Sequence, residues 1–372
     1  MDDQMPRSRA AVRLARSFGR TALSSGRRWW IGGAVVVVLG AAVLGRDDLA
    51  LMARSFAGAD WHWAALALVL MLASLALRSL ALQVIVNALD AGRARLRDAF
   101  SATSIGLLAN SLIPIKVGTV LSPYVLFVLL RRRGAQAAFP TILGVTLTER
   151  MFAIATFLAL SLAFLGTLDV PAWAVNVLLV CAGLITVPLV AGVVFARRRD
   201  WVARECARGG PRVRRMGRWL PELVESQRIM RRPLAVLGVT GTQVLAWLLQ
   251  LAAAVAMLWA FHLEAAGLRG AALVIVLTNL IGLIPATPGN VGTFQVAAVA
   301  ALATYGVAAG PALAYALGLQ ALQLLVGIVA GLAALAAQDL TLVDMAGRSR
   351  QAAAALRNAE PAMTPAEDPL VM

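Results

Sequence analysis

Lys116 is the only lysine among the 34 Lys and Arg residues of this 372-residue chain. It stands in the run Asn110-Ser-Leu-Ile-Pro114-Ile-Lys116-Val-Gly118-Thr119, where Pro and Gly interrupt an apolar stretch. An ammonium at such a break suits capture of a lipid phosphate or another anionic headgroup, because half-helix N-termini add free N–H donors there. The other role open to Lys116 is structural: it snorkels, or it neutralises Glu149 to hold the fold. Glu149 and Arg150 lie about eleven residues into an apolar block, near mid-depth at about 1.5 Å per residue. Neighbouring helix residues point about 100° apart, so these two need not pair with each other. Lys116 and Arg78, the latter in the middle of another apolar block, are the partners in view. A structural network and a substrate role are both open for Glu149, Arg150 and Arg78.

A second interruption reads Asn279-Leu-Ile-Gly-Leu-Ile-Pro285-Ala-Thr-Pro288-Gly289-Asn290-Val-Gly292-Thr293, with Gln295 just beyond. Asn110, Thr119, Asn279, Asn290, Thr293 and Gln295 supply polar groups at the two breaks, some of which must satisfy freed backbone groups. Gly118, Gly289 and Gly292 permit positive φ or close approach, and Pro114, Pro285 and Pro288 end helices. No catalytic set accompanies them. His62 and His262, the only histidines, sit near tryptophans without a metal-ligand neighbour or a nucleophile beside them. There is no Walker A run, so direct use of ATP is not expected. The expectation is no enzyme activity, no metal and no cofactor.

The elements that must position these residues are membrane helices. The chain is 60% hydrophobic and 14% charged, against about 45–50% and about 25% in soluble domains. Its apolar residues fall in long blocks at about 62–89, 138–166, 172–196, 234–261 and 311–337. Each exceeds the roughly 20 residues that span a hydrocarbon core. A shorter block, 31–45, follows Trp29 and Trp30 and reads as a retained anchor rather than a cleaved signal peptide. The interrupted stretches, about 99–130 and 268–307, have apolar arms short for a span and suited to half-helices. Cys181 lies in an apolar block and Cys206 in a basic loop, so a disulfide is not expected.

Arginine sets the orientation. With the N-terminus in the cytoplasm and both interrupted stretches returning to their own side, cytoplasmic segments hold 28 of the 34 basic residues. That bias is what the positive-inside rule demands. The net charge of +15 then means membrane orientation and contact with anionic lipid, and no nucleic-acid partner is expected. The pattern Pro-x-x-Val-Gly-Thr occurs at Pro114–Thr119 and again at Pro288–Thr293. The shift that carries the first copy onto the second also carries 62–89 and 138–166 onto later apolar blocks. An odd number of crossings separates the halves, so the second is upside down relative to the first, as in many transporters.

The expected fold is an all-α polytopic membrane protein. It has six transmembrane helices plus two oppositely oriented re-entrant helical hairpins, arranged as an inverted repeat. The expected organisation is a basic cytoplasmic arm at 1–30, a membrane domain at 31–337 and a cytoplasmic tail at 338–372. Within the membrane domain, repeat one spans about 31–166 and repeat two about 172–337, with a basic cytoplasmic loop at 197–233. Both termini are expected in the cytoplasm, and the membrane in question is the cytoplasmic (inner) one.

Asn110 to Thr119, the run Arg131 to Arg133 and Thr148-Glu149-Arg150 resemble the first half of the lysylphosphatidylglycerol synthase transmembrane-region family, also called flippase-like membrane proteins. Pro285-x-x-Pro288-Gly-Asn-Val-Gly292-Thr-Phe-Gln295 is similar to the family's second signature. The resemblance covers roughly 30–338. Asn110, Pro114, Lys116 and Gly118 match the first signature, but Thr119 stands where the family has an acid. Gln295 stands where many members have Glu. The better-known members carry a soluble aminoacyl-transferase domain, and here only the tail follows residue 337. The resemblance implies translocation of a lipid or lipid-linked headgroup without synthase chemistry, the partner being an anionic or isoprenoid-linked membrane lipid. The alternative is a non-transporting membrane partner of a glycosyltransferase or lipid-modifying enzyme, suggested by the basic loop and the two missing acids. Gln320 and Gln323 lie in the last block. Gln323 is offset from Glu149 as Pro288 is from Pro114, which makes it a possible pseudo-symmetric counterpart.

Overall fold

The computed structural model describes residues 46–89, 92–112, 118–136, 138–165, 229–230, 232–282 and 290–338, with a few positions between 175 and 183. The expected anchor at 31–45, the arm, the tail, nearly all of 172–196 and most of the loop 197–233 lie outside the described residues. So do Lys116, Pro114, Pro285, Pro288 and Gly289.

Every regular element among the described residues is helical. They are α1 (Arg46–Ala57), α2 (Trp61–Ala88), α3 (Leu96–Leu112), α4 (Gly118–Arg132), α5 (Phe139–Leu165), α6 (Pro233–Ala260), α7 (Gly267–Gly282), α8 (Thr293–Ala303) and α9 (Ala309–Ala337). A short 3-10 turn, Glu264–Ala266, leads into α7. Among the described residues five segments are long and apolar enough to cross a membrane: α2, α5, α6, α9 and Glu264–Gly282. The last is longer than the half-helix expected there, because the 3-10 turn extends α7 to 19 residues. The other arms of the two interrupted stretches are 17, 15 and 11 residues long. The described arms end at Leu112 and Gly282 and begin again at Gly118 and Thr293, on either side of the two Pro- and Gly-containing runs. Helix α1 was not foreseen. Its apolar residues Met52 and Phe56 reach the core, Phe56 meeting Phe261 edge-on at 5.3 Å, and it packs against α9.

Local chemistry sets the ends. Asp60 caps α2, its carboxylate accepting from the His62 backbone N–H at 3.0 Å. That bond, with the His62 ring also at 3.0 Å, holds the Asp60 carboxyl below its ordinary range. Pro233 opens α6, where its missing N–H costs nothing. Arg97 and Arg132 donate to the carbonyls of Ala337 and Gln338, closing the C-terminal end of α9 with positive charge.

Helices α2 and α6 are antiparallel and packed along their lengths. Trp63 lies 4.4 Å from Trp259, and the Ser74 hydroxyl donates to the Ala246 carbonyl at 2.8 Å. Helices α3 and α4 fold back on each other. Their open ends are joined by Arg133 and the buried Asp98 at 3.0 Å, and their closed ends by Gly118 against Asn110. Helices α7 and α8 do the same: Gly270 faces Leu302 and Tyr305, and Gly282 faces Asn290. Helix α9 lies along α3 through Gly327 and Gly331, a GxxxG pair. A Cβ at Gly331 would come within 2.5 Å of Leu108 Cβ, so the backbones meet as only glycine permits. The shift that carries Pro114 onto Pro288 also carries α2, α3, α4 and α5 onto α6, α7, α8 and α9, in that order.

Candidate functional site

The first polar centre lies between α2, α5 and α6. Gln243, Trp247 and Gln250 share a face of α6, at spacings of four and three residues. Gln243 Nε2 donates to Glu149 Oε1 at 2.7 Å. Arg78 of α2 lays its guanidinium over the Trp247 ring, 4.4 Å from the centroid, and donates to Gln250 Oε1 at 3.0 Å. Trp247 is fixed in turn by its indole N–H on the Ala153 carbonyl at 3.0 Å and by Phe157 at 4.8 Å. Glu149 and Gln243 each stand ten residues from the basic end of their helices, a depth of about 15 Å at the helical rise, the middle of a bilayer core. Arg78 and Glu149 feel each other's charge, but no direct ion pair joins them. Both are half-buried, as is Arg150 beside them.

Among the described residues Glu149 thus meets a neutral amide and no direct ion pair with Arg78; the other partner in view, Lys116, lies outside the described residues. The amide could have been found in the sequence, since Gln243 and Gln250 are the only polar side chains beyond Thr and Trp in an otherwise apolar 28-residue helix. What periodicity could not supply was the register of α6 against α5 and α2.

A second set of polar groups flanks the two interrupted stretches. Asn110 Oδ1 accepts from the Gly118 N–H at 2.8 Å, so this residue closes the first break. A Cβ at Gly118 would overlap the Gly106 carbonyl, and one at Gly106 would meet Ser122 at 2.7 Å. At the second break Asn290 adopts a φ of 57° and Gly292 one of 90°. Gln295 Oε1 accepts from the Gly292 N–H at 2.6 Å, while Gln295 Nε2 donates to Gln320 Oε1 of α9. Thr293 donates to the Asn290 carbonyl at 3.1 Å, and Asn279 to that of Ile275 at 2.8 Å. Thr119 is half-buried at the start of α4. Gln320 is thus an α9 amide that engages the arm after the second break. Gly327, beside Ser111 of the first arm, lies seven residues from Gln320. Seven residues return a helix to nearly the same face, about 10 Å further along. Both breaks are seated on one side of α9.

The sequence model of the family described as the lysylphosphatidylglycerol synthase TM region matches residues 29–331. The chain belongs to that family. No curated protein and no solved structure matches it in the corresponding comparisons. The matched region contains both centres and every described helix but the last turn and a half of α9. Gln295 and Thr119 differ in what they do. Gln295 bridges Gly292 to α9, accepting from the first and donating to Gln320 of the second. Thr119 opens α4, beside the Gly118 N–H that Asn110 ties.

Proposed function

We propose that this member of the family is a flippase-like membrane protein that moves a lipid or lipid-linked headgroup across the cytoplasmic membrane. The observation that carries this reading is the seating of both helix breaks on one face of α9, at Gln320 and Gly327. Broken helices meeting at mid-depth are how transporters place backbone donors and carbonyls where a spanning helix would hide them. In this reading α3–α4 and α7–α8 are re-entrant hairpins entering from opposite sides. The halves are inverted repeats related through the antiparallel α2–α6 pair, and there are six full spans. The end where α3 begins, α4 ends and α9 ends is cytoplasmic, since Arg93, Arg95, Arg97 and Arg131 to Arg133 gather there.

The headgroup path would be served by Asn110, Lys116, Thr119, Asn279, Asn290, Thr293 and Gln295 at the breaks and by Arg78, Glu149 and Arg150 beside them. The chain has no catalytic role in this reading; a lipid-modifying enzyme or glycosyltransferase is the partner that would supply or consume the lipid. Reconstitution in vesicles carrying a fluorescent-headgroup phospholipid tests it. Transport predicts that an impermeant quencher reaches more than the outer-leaflet share of label in protein-containing vesicles. Equal quenching with and without protein overturns it and favours the non-transporting partner.

A further inference from the structure

Two arginines converge on the C-terminal end of α9. Arg97, in the first turn of α3, donates to the Ala337 carbonyl, and Arg132, in the last turn of α4, donates to the Gln338 carbonyl at 3.1 Å. The two acceptors belong to consecutive residues, whose Cα atoms are about 3.8 Å apart. Both arginines are exposed, and each of these bonds uses one of a guanidinium's five N–H donors.

No carboxylate pairs with either of them among the described residues. Asp98, the one acid described at this end of the bundle, is engaged on both oxygens. Its Oδ1 accepts from Arg133 Nη2 and its Oδ2 from the Arg95 N–H, each at 3.0 Å. Arg131 lies over the Phe127 ring, 5.5 Å from the centroid. What faces Arg97 and Arg132 is the helix end itself, which carries roughly half a negative charge. Two full positive charges against that end leave an excess of about +1.5.

Length fixes the depth of this pair. Helix α9 has 29 residues, about 43 Å at the helical rise. That equals a bilayer with its headgroups, about 40–45 Å, whereas the hydrocarbon core is only about 30 Å. The end of α9 thus stands at the level of lipid phosphates. Deeper along the same helix Leu332 and Val329 are exposed, about 7.5 Å and about 12 Å from Ala337. A phosphate at the arginine pair therefore has apolar surface nearby for the chains attached to it.

We propose that Arg97 and Arg132 together hold the phosphate of one anionic phospholipid, a resident lipid that seals the open ends of α3 and α4 against α9. Charge is the reason. One phosphodiester offsets most of the excess, and its oxygens accept from both guanidinium groups in charge-assisted bonds of about 2.7–2.9 Å. Gln338 already begins the clasp, its Nε2 donating to the Ser101 hydroxyl at 3.0 Å. Without the lipid the two guanidinium groups repel each other where α3, α4 and α9 meet. The inference stands on the placement of α9 in a membrane and not on transport, so a resident lipid and a moved one are separate questions.

The test is lipid retention and melting of the full chain, delipidated in dodecyl maltoside and titrated with dioleoyl phosphatidylglycerol. Native mass spectrometry should show one tightly retained phosphatidylglycerol per chain. The melting temperature should rise saturably, by about 2–4 °C or more. Dioleoyl phosphatidylcholine, whose ammonium offsets its phosphate, should give neither effect. Glycerophosphoglycerol, the same diester without acyl chains, should not stabilise at the same concentrations. Arg132→Gln should weaken retention about tenfold or more, the loss of one charged hydrogen-bond partner. Arg97→Gln with Arg132→Gln should abolish it. Arg93→Gln with Arg95→Gln removes the same charge from the same end and should behave as the wild type.

Equal losses in the two double variants would reduce the effect to net charge and overturn the site. Equal stabilisation by glycerophosphoglycerol would make it a site for free phosphate esters and overturn the lipid. If the Arg97 and Arg132 double variant does not fold, Arg132→Gln alone decides, since Arg97 and Gln338 still hold α9; unchanged retention in it overturns the proposal. So does a wild type that retains no phosphatidylglycerol. Retention gained in that case by Asp339→Asn would show that the chain's own carboxylate after Gln338 occupies the pair.

Discussion

Gly118 and Gly292 occupy equivalent places in the two Pro-x-x-Val-Gly-Thr runs, and each gives its backbone N–H to a side-chain amide oxygen, Asn110 Oδ1 at 2.8 Å and Gln295 Oε1 at 2.6 Å. The devices differ in direction. Asn110 reaches forward from the arm before the break, and Gln295 reaches back from the arm after it. Two equivalent backbone positions thus have the same need met by unrelated residues, because a freed N–H in apolar surroundings must be satisfied from whichever side offers an acceptor.

The first prediction concerns the glycine contact itself. Gly118→Ala drives a methyl into the Gly106 carbonyl. The arms of α3 and α4 must part, at a cost of about 1–3 kcal/mol or more. Gly238→Ala, in α6 with nothing within 4 Å, should instead gain up to about 1 kcal/mol from helix propensity. Thermal melts in one detergent should therefore move in opposite directions for the two variants.

Gln295 is next. Gln295→Leu strands the Gly292 N–H and removes one hydrogen bond from Gln320 in a buried place, which should cost about 1–3 kcal/mol. Gln295→Glu should be much milder. A carboxylate still accepts from Gly292, and Gln320 can turn its amide to donate. Melting temperatures in the order wild type, Glu variant, Leu variant are expected. A Glu variant as unstable as the Leu variant would show that the Gln320 amide is fixed.

How much of this was legible in the sequence depends on whether a signal is local. The expected spans at 62–89, 138–166, 234–261 and 311–337 match α2, α5, α6 and α9 within two residues at each end. An apolar block carries its own length. The arms that flank the two Pro- and Gly-containing runs were equally local, ending at Leu112 and Gly282 and starting at Gly118 and Thr293. Helix α1 escaped because Arg46, Asp47 and Asp48 make Arg46–Ala57 look like a polar connection, and its core-facing Met52 and Phe56 gain meaning only against Phe261. Arg78 and Glu149 stood out as charges in apolar blocks. Their partners Gln250 and Gln243 did not, because which polar residues of two helices meet is decided by register.

The seating of the first break on α9 can be tested by cross-linking. A Cβ at Gly327 would lie 3.1 Å from Ser111 Oγ. That is close to the distance of about 3 Å that disulfide geometry sets between one Cβ and the partner's sulfur. In a background with Cys181→Ser and Cys206→Ser, the pair Ser111→Cys and Gly327→Cys should oxidise readily, giving a faster-migrating monomer band that a reductant removes. Ser111→Cys with Leu332→Cys, which is exposed away from the contact, should not. Failure of the first pair alongside a folded elution profile would place the tip of α3 elsewhere.

The last prediction returns to Lys116. Were it the counter-charge of Glu149, Lys116→Ala would strand a carboxylate at mid-depth and destabilise the protein by about 3–5 kcal/mol. Glu149, however, is held by Gln243 and shares its electrostatic field with Arg78. Lys116→Ala should then leave the melting temperature in detergent nearly unchanged. In vesicles the same variant should lose most transport, because the one ammonium at the first break is gone, and Lys116→Arg should recover part of it by restoring the charge. The double change Lys116→Met with Glu149→Gln discriminates further. If Lys116 serves only to neutralise Glu149, this neutral pair transports like the wild type. If Lys116 meets the headgroup, the pair is stable and inactive. A Lys116→Ala protein that melts several degrees lower, rescued in stability by Glu149→Gln, would make Lys116 a structural counter-ion and leave Arg78 and the backbone donors of the breaks to bind the anion.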